Sequence, residues 1–317
     1  MRSPLAGISS FLLLVVGTAA NGQQPLTLKG HSSFVYNVAF SPDGKKIAST
    51  SAPGTLKLWD AASGKELLAI DYINTPGSVA FSPDGKNIVT AGLGFRGVQV
   101  WDSATGKEIV TFKGHTFSVR GAAFSPDGKK IVSVSTDPTL RVWDAATGKE
   151  ILTLKGQTWG GASVAFSPDG KKIVSAGIQK LTVWDAISGQ EIVTTQASGY
   201  KLVAFSSNGE KIFASQGWTI DVFDAADGRT IGQTILKADA RNVTGMALSA
   251  DGKKFVTGNR DGTLHLWDSA TGQQLLTLKE HTDRITGVAF SPDGKKVVSG
   301  SFDRTVKVRD VSGEQGP

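Results

Sequence analysis

The dipeptide Trp-Asp recurs at a spacing that leaves few folds open. It stands at Trp59-Asp60, Trp101-Asp102, Trp143-Asp144, Trp184-Asp185 and Trp267-Asp268, with degenerate copies at Phe223-Asp224 and Arg309-Asp310. Successive steps are 42, 42, 41, 39, 44 and 42 residues. A period near 40 to 45 residues means a stack of similar units, each too small to bury its own apolar face. One unit shows what is repeated. "SVRGAAF" (118–124) is a short apolar strand, and "SPDGK" (125–129) reverses the chain. Pro126 presets φ there, and Asp127-Gly128 supplies the positive-φ position. "KIVSVS" (130–135) and "TLRVWD" (139–144) are the second and third strands; "AATGK" turns again, and "EILTLKG" (150–156) is the fourth. Strand-forming types dominate, and no helical period appears. Apolar residues fall on both faces of these strands, as in sheets sandwiched between neighbours.

These units resemble the WD40 family over residues 26–313. The resemblance implies an all-β fold: a single seven-bladed propeller with four antiparallel strands per blade. The chain enters on a fourth-type strand, "PLTLKG" (25–30), and leaves after a third-type strand, "TVKVRD" (305–310). The first strand is therefore expected to complete the last blade and remove a free edge. Residues 21–25 read as a linker and 314–317 as a tail.

Residues 1–20 read as an export signal. Arg2 precedes the apolar run "FLLLVV" (11–16), and Thr18 and Ala20 are small residues at cleavage spacing. The run is shorter than the roughly 20 residues a membrane span needs. A secreted or periplasmic location is expected, and Asn242-Val243-Thr244 is the one glycosylation sequon should the source be eukaryotic. There are no cysteines, which excludes disulfides and thiolate chemistry. The four histidines lack metal-ligand spacing, so neither a metal nor a cofactor is expected.

Two motifs point elsewhere and are set aside by context. "GLGFRG" (92–97) fits the dinucleotide fingerprint, but that fingerprint opens a helix. Here a strand follows, so the glycines make a loop with Phe95 and Arg96 at its tip. His115, Ser133, Asp137 and Trp143 could suggest a hydrolase triad. They resemble the structural tetrad of the family, in which a hydrogen-bonded chain satisfies a buried imidazole. No nucleophile elbow is present. Blade 1 has Pro53 in the aspartate position, blade 7 has Arg309 for the tryptophan, blade 6 has Asp239 for the histidine, and blades 2, 4 and 5 lack both histidine and aspartate.

The two propeller faces differ in chemistry. Tyr36, Tyr72, Tyr200, Trp159, Trp218, Phe34, Phe95, Phe117 and Phe302 all fall in, or next to, connections of one face, here the top. The turns of the opposite face carry none. Aromatic residues and arginine dominate binding hot spots. In the WD40 family, partners dock at the start of each first strand, which here means Tyr36, Gly77, Arg120, Ala162, Lys201, Thr244 and Thr286. The resemblance therefore implies a non-catalytic, monomeric scaffold that binds a protein or peptide through Tyr36, Phe95, Arg96, Arg120, Trp159, Tyr200, Lys201 and Trp218. Two alternatives stand beside it. One is a hydrolase or lyase using carboxylates at the channel mouth, from among Asp71, Asp137, Asp239, Asp261, Asp283 and Asp303. The other is a polyanion binder using the lysines that follow each "DG" turn of the bottom. The formal charge of +6 permits that reading, but acidic neighbours and missing aromatics argue against nucleic acid.

Overall fold

The computed structural model describes residues 24–71, 75–93, 97–156, 163–177, 179–196, 199–216, 219–235 and 243–313. They form seven four-stranded antiparallel sheets and, among the described residues, no helix. Six sheets take their strands in chain order. The seventh joins Leu26–Leu28 to Val306–Asp310, so the first strand of the chain closes the last blade. Leu26 faces Val308 and Leu28 faces Val306 across that pairing. The expected seven-bladed propeller and its closure are both present.

There is one apolar core per blade junction rather than one for the molecule. At the junction of blades 2 and 3, Val89, Val98, Val100 and Phe112 meet Val119, Ile131 and Trp143. Trp59, Trp101, Trp184, Phe223 and Trp267 occupy the same place at five other junctions. Each repeated aromatic thus packs into the blade before its own. Trp59, Trp143, Trp184, Phe223 and Trp267 are each only 1% exposed, which places the largest apolar side chain of these five repeats at a seam. Blade 7 differs, since Arg309 takes this position and its Nε donates to Glu280 Oε1 at 2.8 Å.

The bottom turns add a second set of junction contacts. A Cβ placed on Gly85, Gly128 or Gly170 would sit 3.4 to 3.5 Å from Pro42, Pro83 or Pro126 of the preceding blade. These glycines are at φ near +70°, a conformation that few other residues tolerate. The lysines beside them are less free than the sequence implies. Lys46, Lys130 and Lys172 donate to backbone carbonyls of the next blade, on Ser103, Ala186 and Ala225.

The outer strands show a feature that the repeat pattern does not reveal. Six of them are irregular opposite the repeated aromatic: Trp143 pairs with Glu150 but Val142 pairs with Leu152, leaving Ile151 unpaired. Leu67, Ile109, Ile192 and Ile231 occupy the same bulged position and are 42 to 50% exposed. A bulge bends a strand and spoils its outer edge as a template for another chain. Six exposed sheet edges thereby avoid forming flat, sticky ribbons.

Closure by the first strand leads to a stability prediction. Leu28 is 1% exposed in the core shared by blades 7 and 1. Leu28→Ala is expected to lower unfolding stability in urea by about 3 kcal/mol, the usual cost of a cavity at a fully buried leucine. A loss below roughly 0.5 kcal/mol would mean that this strand does not hold the ring shut.

Candidate functional site

The top face is built from connections pinned by polar chains. In blade 3, Trp143 Nε1 donates to Ser133 Oγ (2.8 Å), Ser133 Oγ meets His115 Nε2 (2.8 Å), and His115 Nδ1 meets Asp137 Oδ2 (2.9 Å). Asp137 also accepts from the Thr116 amide and the Thr139 hydroxyl. All four side chains are buried. The serine is thus saturated between an indole and an imidazole, and the aspartate holds two chain segments together. That is the geometry of a brace, since a nucleophile needs a free face toward a substrate. Blade 7 repeats it without the indole: His281 meets Ser299 and Asp303, each at 2.8 Å. Asp303 is held well below the usual carboxylate range. Its burial opposes this, but hydrogen bonds from His281 and Thr305 outweigh burial.

Blade 1 shows what the missing carboxylate does. His31 Nε2 meets Ser49 at 2.6 Å, but Nδ1 is buried with no partner, because Pro53 stands where the aspartate would. Burial, with nearby Lys57, lowers its pKa to about 4. His115 is also lowered by burial, but Asp137 opposes the shift. Both imidazoles are therefore neutral at pH 7.

The remaining polar residues of the top are sorted by the structure in ways the sequence did not foresee. Tyr200 is corrected from an exposed anchor to a buried residue: it is 6% exposed, lies edge-on to Phe223, and donates its hydroxyl to Asp221. Gln233 donates to the other oxygen of Asp221 at 2.6 Å. Blade 5 thus has a polar chain of its own, assembled from residue types that differ from the tetrad. The pairing was invisible because Tyr200 precedes a first strand while Asp221 lies on a third. Thr244 and Thr286 likewise turn inward, donating to carbonyls of Ile285 and Val35 in the next blade. His265, fully buried, bonds to Thr277 at 2.9 Å and belongs to the fold.

The exposed remainder is aromatic and basic. Arg120 and Lys201 are exposed, and Phe117 and Phe34 are 49% and 38% exposed. Tyr36 is half-buried, with its ring edge-on to Phe302 at 5.5 Å. Phe95, Arg96, Trp159 and Trp218, the other proposed contact residues, lie outside the described residues, as do Tyr72, Ala162, Asp239 and the Asn242 of the sequon. The opposite mouth is apolar. Phe81, Phe124, Phe166 and Phe205 end first strands there and line a cavity of about 460 Å³ at the bottom of the channel.

The model of the WD domain, G-beta repeat, matches residues 22–60, 106–144, 232–268 and 272–310. The chain is a WD40-repeat propeller. The blades outside those matches are 2, 4 and 5, the same three that lack the tetrad histidine and aspartate. They nonetheless keep the indole or phenyl seam and the four-stranded pairing. Among curated relatives, the Small ribosomal subunit protein RACK1 of Medicago sativa is 51% identical over 45 residues, 14% of each chain. The Vegetative incompatibility protein HET-E-1 of Podospora anserina is 58% identical over 38 residues, 12% of this chain and 3% of that protein. The Transcriptional corepressor LEUNIG_HOMOLOG of Arabidopsis thaliana is 26% identical over 141 residues, 43% of this chain and 17% of that protein. The matches therefore span only a fraction of each relative's length, about the size of one blade in the first two. WD40 propellers are in general protein-interaction scaffolds. Among the described residues no helix is long and apolar enough to cross a membrane, and no group of three or more acidic, histidine or cysteine residues could hold a metal.

Two predictions follow from the polar braces. Removing Asp137 leaves a buried imidazole and the Thr116 amide without an acceptor, so Asp137→Ala is expected to cost about 2 to 4 kcal/mol in equilibrium unfolding. A cost near zero would show that the brace is dispensable. For His31 the folded pKa lies below the unfolded one, so the unfolded chain takes up the proton first as pH falls. Stability is full above about pH 6.5 and declines toward pH 4, by about 3 kcal/mol for a shift of this size. His31→Phe should flatten the pH dependence of the urea midpoint between pH 6.5 and 4; an unchanged slope would contradict the assignment.

Proposed function

We propose that the protein is an exported, non-catalytic scaffold that binds a protein or peptide through the top face of the propeller. The observation that carries this reading is the exposure of Phe34, Phe117, Arg120 and Lys201 on that face, with neighbouring polar groups committed to internal braces. Exposed aromatic rings beside cations are the residue types that concentrate binding energy. The non-catalytic reading is supported by two of the top carboxylates. Asp137 and Asp303 are each engaged by a histidine and a threonine, so neither is poised as a free acid or base. Propellers do host enzymes, so these engaged carboxylates, and not the fold, support the reading. Export rests on the apolar run at residues 11–16 and the small residues that follow it.

The test is retention of a partner from the native exported fraction by the wild-type chain and by Phe117→Ala/Arg120→Ala/Lys201→Ala. A protein held by the first and lost from the second, at unchanged thermal stability, is the expected result. Equal recovery by both would remove the top face from consideration. N-terminal sequencing of the mature chain checks export, with a start within a few residues of Asn21 expected.

A further inference from the structure

At the corner where blade 7 meets blade 1, three planar groups lie in one stack. Phe302 follows the second strand of blade 7 (Lys296–Ser301), and Phe34 precedes the first strand of blade 1 (Val35–Phe40). Their rings are parallel, 5° apart in plane and 4.3 Å between centroids. The guanidinium of Arg284 lies 3.5 Å from the Phe302 centroid. Two planar groups at such distances cannot share one face of a ring, so Arg284 and Phe34 cover opposite faces of Phe302. Tyr36 closes the side, edge-on to the same ring.

The arginine is held but not satisfied. The other arginines in described ion pairs have carboxylate partners: Arg141 has Glu150, Arg229 has Asp227, and Arg309 has Glu280. Arg284 enters no ion pair among the described residues, and its Nε is buried without a hydrogen-bond partner. Its neighbour Asp283 does not serve, since Asp283 Oδ1 accepts from the Arg284 backbone amide at 2.6 Å. With Nε buried, a guanidinium stacked by its face can still offer the edge of its two terminal nitrogens, and that edge matches the two oxygens of a carboxylate. Stacking also removes most of the side-chain freedom that binding would otherwise cost.

The supporting loops are fixed in advance. The Phe302 amide donates to the Arg284 carbonyl at 3.0 Å, and Ser301 Oγ donates to the Asp283 carbonyl at 2.9 Å. Asp303 is locked to His281 and Thr305. Arg304, exposed beside Phe302, sits at φ 71°, where blade 6 has Gly262 at φ 83°. A non-glycine residue kept in the left-handed region at an exposed tip is the kind of strain that collects at binding sites. It is a second arginine, two residues along the chain from Phe302.

We propose that this corner recognises a carboxylate on an acidic segment of the partner protein, with Arg284 as the anchor and Phe34 as the apolar contact beside it. The inference rests on the top-face reading and names the chemistry of its partner. Charge complementarity selects a protein carboxylate over a polyanion: Arg284 stands next to exposed Asp283, whereas a phosphate chain needs a run of unopposed cations.

The experiment uses the full chain and two blocked ten-residue peptides, one alternating Glu with Leu and the other Gln with Leu. Nitrogen-15 spectra follow the Arg284 Nε–Hε resonance during each titration. The Glu peptide is expected to bind at least tenfold more tightly than the Gln peptide and to move that resonance. Arg284→Gln should abolish the preference, Arg284→Lys should keep a reduced one, and Phe34→Ala should weaken both peptides alike, with thermal unfolding confirming that each variant is folded. Equal binding of the two peptides, or a preference that survives Arg284→Gln, overturns the proposal. So does inorganic polyphosphate that binds more tightly than the Glu peptide with a steep salt dependence. Failure here is separable from failure of the scaffold reading. A native partner released by the Phe117/Arg120/Lys201 variant but fully retained by Arg284→Gln would leave the top face standing and remove this site.

Discussion

The ring is held together by one repeated interaction, an aromatic side chain that belongs to one blade and packs in the core of the blade before it. Its ring buries apolar surface at the seam, and in five blades its indole N–H donates to a serine or threonine on the adjacent strand, as Trp143 does to Ser133 and Trp267 to Thr257. Burial without that acceptor would leave a polar group unpaired in an apolar junction, at a cost comparable to the hydrogen bond itself. Packing and polar satisfaction thus fall on the same residue, which is why the spacing tolerates changes elsewhere in the unit. Where the aromatic is lost, as at Arg309, a half-buried guanidinium pairs with buried Glu280 and the seam is kept by different means.

The polar chains that extend from these aromatics reach the top face, and they are uneven. Blade 3 has the full set, blade 7 lacks the indole, blade 1 lacks the carboxylate, and blade 5 substitutes Tyr200, Asp221 and Gln233. In each, buried polar atoms fix the course of a connecting loop. A face braced in this way can carry exposed Phe34, Phe117 and Arg120 with little entropy to lose on binding. Rigidity and exposure are linked through the same loops, since Asp303 is locked inward while Arg304 beside it is exposed.

Residue types that repeat were legible; residue types that depart from the repeat were not. The blade count, the strand order and the closing first strand all follow from the Trp-Asp spacing and the turn residues. The tetrad could be placed residue by residue because the family resemblance implies its members and these recur at fixed offsets in blades 3 and 7. Tyr200 could not, because an isolated tyrosine at the head of a first strand reads the same whether its hydroxyl points to solvent or to Asp221. The bulges at Ile151 and its equivalents escaped for a related reason. An apolar residue at the start of an edge strand satisfies the alternating pattern, and only the register shows it to be unpaired.

Sheets with an apolar face on either side call for neighbours of the same kind, and the resemblance of the repeats to the WD40 family implies that seven of them close into a ring. That much is decided by local pattern and period, through the physics of burying short strands. The tertiary structure alone decided which side chains the ring leaves unsatisfied. Phe302 and Phe34 are about 270 residues apart in the chain and stack only because closure brings blade 7 against blade 1. A contact across that distance leaves no trace in spacing or periodicity, so the stack on Phe302 exists as a consequence of the fold and not of any motif.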